Sequence, residues 1–231
     1  MWKIILRVIE RLPNVMSKLI QVILAVLLLV GIVIVPLSAP GTPAATKPTV
    51  VTVDAGHGGI DPGAVVEGVT EKEINLSIAL KIKELAKHHP TIDVVLTRET
   101  DEYVYLLDRL EIAERNFSVA YLSVQANSFS DPNVVGIQTF VDNSRRSGGL
   151  SYKLSHLIQD AAVSLTQARD RGVKKQRLYT RHTSIPSALI EVGFLTSPSE
   201  RSKLLTDSYQ MKIARGILQG LLVYKSQYSS G

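Results

Sequence analysis

Short runs of β-branched residues, separated by stretches whose apolar residues recur at helical spacing, constrain this chain more than any other feature. Residues 49–55 (TVVTVDA), 92–98 (IDVVLTR), 119–126 (VAYLSVQA), 135–142 (VGIQTFVD) and 188–194 (ALIEVGF) read as strands. Between them, residues 71–88 place Ile74, Ile78, Ile82 and Leu85 on one helical face, and 105–115, 150–168 and 209–224 also read as helices. Strands that alternate with helices pair side by side in parallel, because each helix carries the chain back across the sheet. The expected fold is therefore α/β: a single twisted, mostly parallel sheet with helices on both faces. The basic stretch 169–177 (RDRGVKKQR) interrupts the pattern and reads as a solvated surface, as does the loop 144–149.

The first fifty residues obey different rules. Residues 19–38 (LIQVILAVLLLVGIVIVPLS) contain no charge, and about 20 apolar residues is the length a helix needs to cross a bilayer. A transmembrane helix is expected before the α/β domain, longer than the roughly 7–15 apolar residues of a cleaved signal peptide. The small residues Ser38, Ala39, Ala44 and Ala45 leave cleavage as the alternative. Basic residues before the span keep the N-terminus in the cytoplasm. The expected product is a single-pass cell-membrane protein with its domain on the extracytoplasmic side, or a secreted one if the segment is cleaved. The division is a basic cytoplasmic flank (1–18), the anchor (19–38), a proline-rich linker (39–49) and one domain (50–225).

Charge and cysteine content remove other classes. Residues 1–48 hold Lys3, Arg7, Arg11, Lys18 and Lys47 against Glu10 alone, so they carry four of the net +5 charges and the remainder only one. A nearly neutral domain gives no reason to expect nucleic acid as a partner. With no cysteine, disulfides, thiolate ligands and thiol nucleophiles are excluded.

Two places carry chemistry. Asp54-Ala-Gly-His57-Gly-Gly-Ile-Asp61-Pro-Gly follows the first strand directly, putting a histidine where α/β folds hold their ligands, among glycines that permit close approach. On its residues alone this is a metal ligand, a tight turn or an anion-binding loop. Glu71 opens the first helix of the domain, where the helix dipole favours a carboxylate for structural reasons as well. Glu191, within ALIEVGF, is harder to explain structurally, since a carboxylate in a buried strand must be paired, protonated or bound to a metal.

Together these segments resemble the zinc-dependent N-acetylmuramoyl-L-alanine amidases built on a GHGG motif. The likeness covers residues 50–224 and is carried by VDAGHGGIDPGA (53–64), Glu71-Lys72, Thr97-Arg98, Leu107–Arg109, Ala126-Asn127-Ser128 and IPSALIEVGFLTSPSE (185–200). It implies Zn²⁺ as cofactor, peptidoglycan as partner, and hydrolysis of the amide between N-acetylmuramic acid and the L-alanine of the stem peptide. His57 and Glu71 would be metal ligands, Glu191 the general base. Arg98, Arg109 and Arg181 also match family positions, as ion-pair or substrate-side groups.

One position departs from the family. Where a second histidine is expected before Ala-Asn, this chain has Gln125, so the implied metal set is His57, Glu71 and Gln125. Zinc prefers imidazole, thiolate or carboxylate, and replacing a ligand should weaken binding by at least the roughly 10–100-fold seen for groups one shell further out. His182, nine residues before Glu191, is a substitute ligand on this reading. The alternative function is a catalytically impaired amidase fold that binds peptidoglycan or regulates. Neither an HExxH helix nor a GxSxG elbow is present to support another hydrolase class.

Overall fold

The computed structural model describes residues 14–29 and 47–228. They fall into two units, Met1–Ala45 and Thr46–Gly231, each considered by itself. In the first, α1 (Asn14–Leu29) is a 16-residue helix with Val15, Leu19, Val22 and Ile23 exposed. Among the described residues no helix is long and apolar enough to cross a membrane. The second half of the expected span, residues 30–38, lies outside the described residues, as do most of the basic flank and the linker.

The second unit contains eight strands: β1 (Thr49–Ala55), β2 (Val65–Val66), β3 (Val69–Thr70), β4 (Ile92–Leu96), β5 (Tyr121–Asn127), β6 (Ile137–Asp142), β7 (Asp170–Gln176) and β8 (Ser187–Phe194). Its helices are α2 (Glu71–Ala86), α3 (Leu106–Arg115), α4 (Leu150–Thr166), α5 (Pro198–Leu204) and α6 (Asp207–Tyr228), with a 3-10 turn at Tyr179–His182. Six strands form one sheet in the order β4-β1-β5-β8-β6-β7, while β2 and β3 make a separate hairpin. β4, β1, β5 and β8 are parallel; β6 runs antiparallel to β8 and parallel to β7. The sheet is mostly parallel, as the alternation of strands and helices implied.

Side chains on successive residues of a strand point to opposite faces, and here the two faces differ in chemistry. Val51, Val53 and Ala55 of β1, Leu122, Val124 and Ala126 of β5, and Ala188, Ile190 and Val192 of β8 join Ile74, Ile78 and Ile82 of α2, Leu154 and Ile158 of α4, and Ile213 and Ile217 of α6 in one core. Each such fully buried branched side chain contributes about 1.5–3 kcal/mol. The intervening residues, Thr52 and Asp54, Tyr121 and Ser123, face α3 and the 3-10 turn, where a small cluster of Leu110, Ala113 and Tyr121 packs against Tyr179 and Ile185.

The stretch read as a solvated basic surface contains strand β7. It pairs with β6 along one flank only, and Lys174, Lys175 and Gln176 are exposed. An edge strand needs no apolar alternation, and lysines there deter pairing with other chains.

Candidate active site

The site lies at the carboxyl ends of β1, β5 and β8, the position that parallel sheets leave open for ligands. Immediately after β1 the chain turns through His57, whose φ of 61° is left-handed, a conformation held at non-glycine residues only where the surroundings enforce it. Here they do. Gly58 and Asp61 exchange backbone hydrogen bonds, and Arg109 donates to the carbonyls of Ala55 and His57, both at 2.8 Å. Arg98 donates to the carbonyls of Ala55 (2.8 Å) and Gly56 (3.0 Å).

Both arginines are buried. Arg109 is paired with Asp54 at 2.7 Å, and Asp54 also accepts from Thr97, Ser123 and Tyr179. Burial works to raise the Asp54 pKa, but Arg109 and the hydroxyls of Thr97 and Ser123 outweigh it and hold it below the ordinary carboxylate value. The two arginines therefore act on the backbone beneath His57, while Arg181 is exposed.

His57 stands between two carboxylates. Its Nδ1 lies 2.8 Å from Asp61 Oδ2 and its Nε2 lies 3.2 Å from Glu71 Oε2. Burial alone would lower the imidazole pKa, yet Glu71 and Asp61 together raise it to about 9. Glu71, at the first turn of α2, is buried and fixed by backbone amides: Ala64 donates to Oε2 and Ala126 to Oε1, each at 3.0 Å. Gly63, with φ 65°, lets the loop close over this pair, since a β-carbon there would lie 2.6 Å from Glu71 Oε2 and 2.7 Å from His57 Cδ2.

Gln125 and Glu191 are neighbours across β5 and β8, paired in register just before a bulge. Gln125 donates through Nε2 to Ser123 Oγ (2.9 Å) and accepts through Oε1 from Asn75 Nδ2 (3.3 Å). Asn75 also lies 3.5 Å from Glu71 Oε1, so a single amide bridges the glutamine to the glutamate. The Gln125 side chain occupies the space that a β-carbon on Gly56 would need, within 2.1–2.3 Å of it. Glu191 has an enclosed Oε2 that meets no hydrogen-bonding partner. Desolvation, and secondarily repulsion from Glu71, raise its pKa to about 8.

A cleft of about 220 Å³ is lined by Asp54, Gly56, His57, Asp61, Tyr103, Val104, Leu106, Arg109 and Gln125. His57, Glu71 and Gln125, distant in sequence, are thus brought to one place. Among the described residues no group of three histidine, cysteine, aspartate or glutamate side chains is placed to hold a metal ion. That corrects the reading of His182 as a substitute ligand: it is exposed, in the 3-10 turn preceding the amino end of β8. Two contributors escaped the sequence reading. Asp61 was visible as a carboxylate four residues beyond the histidine, and Asn75 as a polar residue one turn after Glu71 on the buried face of α2.

A mostly parallel α/β sheet, with an imidazole between two carboxylates and a further unpaired carboxylate at the carboxyl ends of its strands, defines an enzyme-like centre suited to hydrolysis. Comparison with known proteins narrows this class. The profile of the Amidase_3 family, N-acetylmuramoyl-L-alanine amidase, matches residues 51–223, and the chain belongs to that family. It is 31% identical over 219 residues to N-acetylmuramoyl-L-alanine amidase AmiA of Escherichia coli, covering 76% of this chain and 75% of the relative. The crystal structure of the N-acetylmuramoyl-L-alanine amidase from Clostridium difficile 630 superposes with a TM-score of 0.75 at 34% identity, covering 79% of this chain and all of that one. The catalytic domain of CwlV, from Bacillus (Paenibacillus) polymyxa, gives a TM-score of 0.73 at 32% identity, covering 77% and 98%.

Proposed function

We propose that this chain is a zinc-dependent peptidoglycan amidase, tethered to the cell membrane, that cleaves the bond between N-acetylmuramic acid and L-alanine. The observation that carries the zinc reading is the convergence of His57 Nε2 and Glu71 Oε2 at 3.2 Å, with Asp61 on the other ring nitrogen. A carboxylate accepting from the remote nitrogen is what orients metal-bound imidazoles and raises their basicity. Two of the three donors, an imidazole nitrogen and a carboxylate oxygen, are ones that Zn²⁺ takes, and the Gln125 carboxamide, linked to that carboxylate through Asn75, would be the third and weaker one. When bound, Zn²⁺ would polarise the scissile carbonyl and bring water toward a neutral pKa.

The chain's own residues supply the rest. Asp61 would keep a proton on Nδ1 while Nε2, protonated beside Glu71 in the metal-free protein, gives up its proton and turns its lone pair to the metal. Glu191, raised by burial first and by the Glu71 charge second, would be available as a base once that charge were neutralised. As carboxylate it accepts a proton from the attacking water and delivers it to the leaving nitrogen of L-alanine. Its enclosed, unpartnered Oε2 supports this role.

A non-catalytic binding module is the second reading, favoured only by Gln125. Titration calorimetry of Zn²⁺ on the full-length protein and on Gln125→His separates them. The zinc amidase reading predicts measurable binding in the parent and a gain of about 10–100-fold or more in the variant; no binding by either chain would remove the zinc reading.

For the tether, support comes from the uncharged run at 19–38 and from the exposed apolar side chains of α1. The orientation argued from the flanking charges puts the domain outside the cytoplasm.

A further inference from the structure

One wall of the cleft is built of side chains that the chemistry above does not use. Tyr103, Val104 and Leu106 line it together with His57 and Gln125. They continue outward into an apolar strip: Tyr103 is 41% exposed, Tyr105 66%, Leu106 and Leu107 each 55%, and Ile60 87%. An apolar strip continuous with a catalytic cleft marks a surface that something covers.

The strip is rigid relative to His57. The Tyr103 and Tyr105 rings meet edge to face, centroids 4.9 Å apart at 82°. The segment carrying them is strapped to the histidine loop, since Asp101 accepts from the Gly59 amide at 2.8 Å and Lys72 bridges Asp101 to the Gly59 carbonyl. Tyr105 occupies the N-cap of α3 and forms no side-chain cap bond there, although Ser, Thr, Asp or Asn would stabilise that helix end by about 1 kcal/mol. An exposed aromatic ring at a position where a capping residue would be more stable points to use by a ligand.

Charge selects the occupant. Asp101, Glu102 and Asp108 lie in the same segment and at the start of α3, and among the described residues Lys72, the cation beside the segment, is taken up by Asp101. The carboxylates of a stem peptide would find no free cation on this strip, because Lys72 is held by Asp101. An N-acetylated hexosamine is neutral, and it presents C–H faces that pack on aromatic rings.

We propose that Tyr103 and Tyr105, with Leu106, form a subsite for the glycan strand, stacking a neutral N-acetylhexosamine ring next to the amide to be cut. This rests on the peptidoglycan amidase reading and adds to it a direction: the sugar lies on the α3 side of the cleft, and the stem peptide leaves the other way.

The test compares full-length parent, Tyr105→Ala and Tyr105→Phe in two assays. The first measures KM and kcat on a disaccharide-tripeptide and on a lactyl-tripeptide lacking the sugars. The second measures binding of a neutral N-acetylglucosamine hexamer and requires no turnover. The subsite predicts that Tyr105→Ala raises KM for the sugar-bearing substrate about 3–10-fold, the worth of one aromatic contact, with kcat nearly unchanged and the lactyl-tripeptide unaffected. Hexamer binding should weaken by the same factor, and Tyr105→Phe should restore both. An equal rise in KM on the sugar-free substrate, or a parent that does not bind the hexamer, would overturn the proposal. If no substrate is turned over, the amidase reading fails, and the hexamer assay still decides the subsite.

Discussion

On the proposed mechanism Glu191 would serve chemistry at the expense of stability. Its raised pKa, about 8 against an ordinary 4.5, means that the folded state holds a proton the unfolded chain releases. Stability from this group is fully present below about pH 4.5 and is lost as pH rises through about 8. His57 acts with the same sign, its contribution present below about 6.5 and lost through about 9. The metal-free protein should therefore lose stability steadily from pH 5 to 9. Glu191→Gln should remove most of the lower part of that slope, melt at a higher temperature than the parent at pH 8, and have no amidase activity. Thermal denaturation across this range checks it, and identical slopes in the two proteins would contradict the assignment. The carboxylate was legible in the sequence because Glu sits in an otherwise apolar strand run. Asp61 was not, because an aspartate among glycines has an ordinary turn role, and only the fold places it against Nδ1.

Among the elements, the layer formed by α3 sets the loop geometry. Arg109 joins Asp54 to three backbone carbonyls, those of Ala55, His57 and Val104. Arg109→Ala would leave Asp54 buried without its cation, which typically costs about 3–5 kcal/mol. It would also free the strained backbone of His57. Urea denaturation should show the loss, and zinc affinity should fall with it; a variant as stable as the parent would show that the hydroxyls of Thr97, Ser123 and Tyr179 suffice for Asp54. Sequence periodicity revealed β1, β4, β5, β6 and β8 because their core-facing positions are apolar. It did not reveal β7 or the short helix α5, which holds Glu200 and Arg201 under the end of β8. Both are polar by local composition and are ordered by contacts distant in sequence, β7 by pairing with β6 and α5 by the bond from the Gly136 amide to Glu200.

At the scale of the whole molecule, a domain of almost no net charge is joined to a basic, apolar N-terminal region. The tether reading predicts that the full-length chain sediments with membranes, is released by detergent and not by high salt, and is degraded by protease added outside intact cells stripped of wall. Release by salt alone would place it on the surface through charge, and protection from protease would reverse the orientation. The expectation of a tether rests on length and lack of charge, which are read without reference to the fold. The site did not, since its metal-binding capacity depends on how Gln125, Asn75 and Glu71 meet.

On the proposed function, His57, Glu71 and Gln125 hold a working zinc ion despite the missing histidine. Zinc content by elemental analysis and release of stem peptides from peptidoglycan should be measured on the same detergent-solubilised full-length sample, before and after chelation. About one zinc per chain is expected, with turnover lost on chelation, restored by Zn²⁺, and absent in Glu191→Gln; peptidoglycan binding with neither zinc nor turnover would rule out the zinc amidase.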